Sequence, residues 1–121
     1  MRIALHIEPS ALNAAIAALV AANLDEMRRG IGASGSILDG TVRYRRERPG
    51  SEDWKTRGRV LVDGHGDCED LAAALAAELQ VAGHPARAII RRARGGRGYH
   101  AVVHLRGREL DPSAWLGMGA S

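Results

Sequence analysis

A chain of 121 residues with 17 basic and 14 acidic side chains, 45% hydrophobic residues and no phenylalanine has the balance of a folded domain rather than a disordered tail. No apolar run approaches the ~20 residues of a membrane span, and the single cysteine excludes an internal disulfide framework and any multi-cysteine zinc or iron–sulfur site. The net charge of +3 is too small by itself to imply a nucleic-acid partner. This length predicts one domain over residues 1–121, with a core built from Leu, Val, Ile and Ala. The first eight residues lack the apolar stretch and cleavage site of a secretory leader, so the expected location is cytoplasmic.

The first expected element is a helix over residues 9–29. Ser10 is placed to cap it, and Leu12, Ile16, Leu19, Val20, Leu24 and Met27 recur at helical spacing. A Gly/Ser/Ala loop follows over 30–40, then a short strand over 41–45 and a polar Pro/Gly turn over 46–50. Residues 51–62 predict a short helix around Trp54. Residues 67–82 read as a helix whose Leu71, Leu75 and Leu79 share a face. Asp67 stands at its N-cap, with Asp70 three residues on in a box-like arrangement, and Gly83 closes it. Strands are expected over 86–92, 99–105 and 108–111, the last stopped by Pro112. A turn at Arg106-Gly107 would pair Leu105 with Arg108, His104 with Glu109 and Val102 with Asp111. The expected architecture is α+β, with N-terminal helices on an antiparallel meander of at least three strands and the cysteine at a helix N-terminus.

The chemistry concentrates at Gly64-His65-Gly66-Asp67-Cys68-Glu69-Asp70-Leu71. Two glycines make a tight turn, and Cys68 falls at the first helical position. There the unpaired N–H groups and the helix dipole favour a thiolate, so its pKa is expected below that of a free cysteine. The Cys68 backbone N–H is also a candidate oxyanion donor. A nucleophile needs a base and a group to orient the base. His100 on its strand and Asp111 before Pro112 supply both in the order Cys, His, Asp. Strand alternation puts His100 and His104 on one face with Asp111 diagonal to each. Glu109 directly opposes His104 and is expected to satisfy it as an ion pair, which leaves His100 as the base.

Gly66-Asp67-Cys68-Glu69-Asp70-Leu71-Ala72, Gly83-His84-Pro85-Ala86-Arg87, Tyr99-His100-Ala101-Val102-Val103 and Asp111-Pro112-Ser113 together resemble the transglutaminase-like core. With Trp54-Lys55-Thr56 upstream, the chain is similar to bacterial transglutaminase-like cysteine peptidases. Its compact end through Leu116-Gly117-Met118 resembles small forms encoded among phage and prophage structural genes. The resemblance spans roughly residues 44–118. It implies a papain-like fold and a Cys68-His100-Asp111 triad acting on a protein or peptide amide, with phage structural proteins as partners and a virion-associated location in the small forms. The chain departs from the pattern in two places. Arg57 stands where the peptidases usually carry proline, and Val62 stands where a papain-type oxyanion glutamine would be. The indole N–H of Trp54 and the hydroxyl of Tyr44 are the side-chain alternatives for that donor. Some relatives bind calcium through the acids flanking the cysteine, here Asp67 and Glu69. A helix cap with first-turn acids explains the same residues without metal, so no cofactor is expected.

Two other constellations carry less. His100 and His104 on one strand lie roughly 13 Å apart, too far to share a zinc ion with Cys68. The arginine-rich loop over 91–98 lacks interleaved aromatics for base stacking and reads as a solvated hairpin loop that could meet an acidic partner. The leading expectation is a cysteine-dependent peptidase or amidase. The alternatives are a cross-linking or non-catalytic assembly module of the same fold and, further off, a nucleic-acid binder.

Overall fold

The computed structural model describes residues 9–47, 53–95 and 98–118. Helix α1 spans Pro9–Arg28. Proline has no N–H to lose at a helix start and its φ is already helical, so it occupies the first turn. Ser10 therefore lies inside that turn and is not the cap. Leu12, Ile16, Leu19 and Val20 are buried as the periodicity predicts, with Leu24 and Met27 packed partly against them. Within the described residues no helix is long and apolar enough to cross a membrane.

Strand β1 is Arg43–Tyr44, and helix α2, Arg57–Asp63, begins three residues after Trp54 instead of enclosing it. Strand β2, His65–Gly66, pairs in parallel with β1 through Arg43↔His65 and Tyr44↔Gly66. The sequence reading missed β2, because two residues between a helix end and a helix cap have no periodicity to detect. Residues 48–52 of the expected turn and helix, and Gly96 and Arg97 of the arginine-rich loop, lie outside the described residues.

Helix α3 spans Cys68–Val81 and differs from the expected one-sided helix. Every residue from Glu69 to Ala77 is buried, because α1, α2, β3 and β4 all pack around it. The alanines between the leucines are what allow those neighbours to approach from several sides. Strands β3 (Arg87–Arg92), β4 (Tyr99–Leu105) and β5 (Arg108–Leu110) form the antiparallel sheet in the order β3-β4-β5. Ala88, Ala101 and Val103 join the core cluster on the sheet's helical side. Asn13 of α1 closes the outer edge of β3: its amide oxygen accepts from the Ile90 N–H at 2.8 Å and its nitrogen faces the Ile90 carbonyl at 3.4 Å.

Two buried polar assemblies tie the helices together. Asn23 of α1 accepts the Arg57 N–H at 2.7 Å, and Glu26, one turn on, accepts the Gly58 N–H at 3.1 Å. The N-terminus of α2 is thus capped by another helix, while its own Thr56 makes no side-chain cap bond. A Cβ at position 58 would lie 2.7 Å from the Glu26 Oε1, so a larger residue there would displace the carboxylate that accepts the N–H. In the second assembly the Arg57 guanidinium, only 3% exposed, donates to Glu78 Oε2 at 2.7 Å and to the carbonyls of Gly32 and Gly35. Glu78 in turn accepts from Ser36 Oγ at 2.6 Å and from the Ile37 N–H at 3.0 Å, which seats Ile37 in the core.

Removing one member of a buried ion pair leaves the other charged and unpaired. Glu78→Ala should therefore cost about 3–5 kcal/mol in chemical denaturation. It should also raise amide exchange at Ile37, whose N–H loses its acceptor; a change below about 1 kcal/mol would show that the loop does not depend on this pair.

Candidate active site

The turn into α3 is built so that Cys68 opens the helix. Gly64 ends α2 in the left-handed region at φ 79, the usual way of stopping a helix. Gly66 is enclosed: an added Cβ would meet the Asp70 Cβ at 3.0 Å and Val60 at 3.3 Å. Asp67 then caps α3, and the expected reciprocal box is present. Its side chain accepts from the backbone N–H groups of Cys68 and Asp70, and Asp70 accepts from the Asp67 N–H at 3.0 Å. The same two carboxylates hold neighbouring segments, Asp67 accepting from the Glu47 N–H at 3.0 Å and Asp70 from the Lys55 N–H at 2.7 Å.

Cys68 is half-buried, and its thiol donates to Glu69 Oε2 at 3.1 Å. The Ala101 backbone N–H also points at the sulfur, so Cys68 lies against β4 at the residue next to His100. His100 is 3% exposed, and its Nε2 is 3.0 Å from both Asp111 oxygens. The expected two-residue turn produces this pairing. Arg106 and Gly107 both have positive φ, at 50 and 78, as a type I′ hairpin requires. The register is Leu105↔Arg108, His104↔Glu109 and Val103↔Leu110, which brings Asp111 beside Val102 and diagonal to His100. With Nε2 donating to the carboxylate, Nδ1 is the nitrogen able to accept a proton. Within the described residues no hydrogen bond joins the thiol to His100.

The electrostatics run against the sequence expectation for the thiol. Burial, followed by the charges of Glu69 and Asp67, pushes the Cys68 pKa well above that of a free cysteine. Burial of the sulfur, with Glu69 and Asp67 beside it, outweighs the helix N-terminus. Burial, with the charges of Asp67 and Asp70, likewise raises Glu69, whose Oε1 is buried without a hydrogen-bond partner among the described residues. Asp70, fully buried, is raised to about 7 by burial, against the lowering effect of its two backbone donors.

The structure pairs His100 with Asp111 as expected, while the Cys68 thiol is bonded to Glu69 rather than to His100, and two oxyanion candidates are already engaged. The Cys68 N–H donates to Asp67 Oδ1 at 2.7 Å, and the Tyr44 hydroxyl also bonds Asp67, its pKa raised by burial and by the Asp67 and Cys68 charges. Trp54 is buried in the core. The expected Glu109–His104 ion pair gives way to a stronger one: Glu109 takes the Arg91 guanidinium in a two-point contact at 2.7 and 3.1 Å. Arg91 stands opposite His100 across β3 and β4, and a fork-shaped cation outcompetes an imidazole for a carboxylate. Glu69, placed by the sequence as a first-turn acid and a calcium candidate, is the side chain that the thiol bonds. Its position directly after the cysteine was the available signal.

Ligand atoms of Asp67, Cys68 and Glu69 all lie within 4.8 Å of one another. Calcium takes six to eight oxygens. Here one donor is sulfur, and the Asp67 oxygens are occupied by the amides of Cys68 and Glu47. This set does not fit a hard cation.

A family model described as the transglutaminase-like superfamily matches residues 15–120. No curated protein and no solved structure gives a significant match.

Two measurements check these electrostatics. The alkylation rate of Cys68 with iodoacetamide should rise with a midpoint above the ~8.5 of a free cysteine. Glu69→Gln, which removes a facing negative charge, should move that midpoint down by about one unit or more; an unchanged midpoint would mean that Glu69 does not govern the thiol. For Asp70, both states are protonated below its ordinary value of 3.8, whereas between 3.8 and about 7 the folded chain holds a proton that the unfolded chain has released. Its contribution to stability therefore falls as pH rises through that window, by on the order of a few kcal/mol. Denaturation midpoints at pH 5 and pH 8 should show this slope, and Asp70→Asn should flatten it.

Proposed function

This chain belongs to the transglutaminase-like superfamily, and from that premise we propose that it is a cysteine-dependent acyl-transfer enzyme hydrolysing a protein or peptide amide without a cofactor. Cys68 attacks the carbonyl, and its thiol proton passes to His100 Nδ1. The C–N bond breaks as the imidazolium returns that proton to the leaving amine, which leaves a thioester. His100 then deprotonates a water that attacks the thioester and restores the thiol. Asp111 holds the imidazole in the productive tautomer and stabilises its charged form. Water is the preferred acceptor because it needs no second binding site.

The observation that carries this reading is the contact of buried His100 with half-buried Asp111 at 3.0 Å, His100 lying on the strand whose next residue, Ala101, acts through its N–H on the Cys68 thiol. The resting hydrogen bonds must rearrange for turnover. The thiol leaves Glu69 for His100, and the Cys68 N–H leaves Asp67 to meet the developing oxyanion. One observation favours a second reading, a non-catalytic module of the same fold: the thiol is bonded to Glu69, and burial raises its pKa.

Labelling by a chloroacetamide probe separates the two. An enzyme should lose labelling completely in Cys68→Ala. Labelling should fall by on the order of 10²-fold or more in His100→Ala and substantially in Asp111→Asn, while His104→Ala retains it and loses mainly stability. A wild-type rate left unchanged by His100→Ala would favour the non-catalytic module.

A further inference from the structure

The strand beside the cysteine turn is cationic. Residues 43–47 run alongside 64–67 through a short ladder in which Arg43 N–H donates to the Gly64 carbonyl at 3.0 Å and Arg45 N–H to the Gly66 carbonyl at 2.9 Å. The Glu47 N–H then reaches Asp67. Alternation along this segment turns Val42 and Tyr44 inward, where Val42 is fully buried and Tyr44 reaches Asp67. Arg46 shares their side, and its charge acts on the Tyr44 phenol. Arg45 points the other way and acts on His65. The two guanidinium groups therefore border the Gly66-Asp67-Cys68 turn from both sides.

These arginines differ from others in the molecule in having no carboxylate. Arg57, Arg59 and Arg91 are neutralised by Glu78, Asp63 and Glu109, and Lys55 beside His65 is neutralised by Asp63. Arg43, Arg45 and Arg46 are all exposed, and among the described residues none is within ion-pair distance of an acid. The nearby η turn, Ala114–Met118, packs against β1 and presents Trp115, 54% exposed. A cationic strip with an adjoining aromatic face, built on the backbone that leads into the nucleophile, fits an extended polypeptide carrying carboxylates.

We propose that the segment from Arg43 to Arg46 docks an acidic polypeptide and so selects acyl donors whose scissile amide lies among Asp or Glu residues. This rests on the reading of Cys68 as the nucleophile. Alternate side chains of an extended peptide recur about every 7 Å, so carboxylates on one face can meet Arg43 and Arg45, which share a side, while Arg46 is open to a carboxylate on the other. The guanidinium fork is suited to each of them.

The test uses three peptidyl fluoromethyl ketones of one length, with Glu, Gln or Lys on both sides of the reactive residue. The Glu probe should label Cys68 about tenfold faster than the Gln probe at low salt. The difference should shrink at 0.5 M salt, where surface charges are screened. Arg45→Glu/Arg46→Glu should reverse the order, and Arg45→Lys/Arg46→Lys should largely keep it, with unchanged melting showing that both variants fold. Equal rates for the three probes would overturn the proposal. Docking is read separately by fluorescence anisotropy of the Glu peptide, without its reactive group, on Cys68→Ala. Salt-sensitive binding lost in the Glu double variant would support docking even if no probe labels the wild type, in which case the nucleophile reading alone fails. Tighter binding of a single-stranded oligonucleotide that displaces the Glu peptide would overturn the proposal in favour of a nucleic-acid surface.

Discussion

Two carboxylates at the start of α3 hold the candidate site in place. Asp67 and Asp70 between them accept the amides of Glu47, Lys55, Asp67 and Cys68. They thereby fix the segment after β1, the approach to α2 and the first turn of α3 around one point. Each backbone N–H would otherwise be buried without a partner, at a cost of about 1–3 kcal/mol. The arrangement also sets the electrostatics. Acids close enough to cap the helix are close enough to oppose a thiolate at its first residue, and they add to the burial that raises its pKa.

The histidine side of the site is governed differently. His100 and Asp111 come from adjacent strands, and their contact depends on the length of one hairpin turn. Because side chains alternate along a strand, a turn one residue longer would carry Asp111 to the opposite face of the sheet. The strained backbone at Arg106, a non-glycine at φ 50, is where that register is maintained. The cysteine half rests on helix capping and the histidine half on strand register.

This difference explains what the sequence disclosed. Capping boxes and two-residue turns are local, so Asp67, Asp70, the start of α3 and the pairing of His104 with Glu109 could all be read from spacing. The buried periodic positions of α1 were legible for the same reason. Long-range competition was not. Glu109 faces His104 as the register requires, yet its carboxylate goes to Arg91 on a third strand, and no pattern within the hairpin announces that. Nor does an alanine-rich helix say whether it is covered on one side or on all of them. The thiol's environment depended on burial, which outweighed a dipole that could be inferred from position alone.

The cap supplied to α2 by α1 has a consequence for the order of folding. Asn23 and Glu26 reach Arg57 and Gly58 across 34 and 32 residues of chain, and a helix of 7 residues is too short to persist alone in water. The closure of that long loop must therefore come before α2 gains its first stable turn. Arg57, which anchors the loop around Ile37, becomes fixed only with α2. Residues 30–47 and 53–63 accordingly behave as one late cooperative unit whose opening, once α1 detaches, would remove the support behind the cysteine turn all at once.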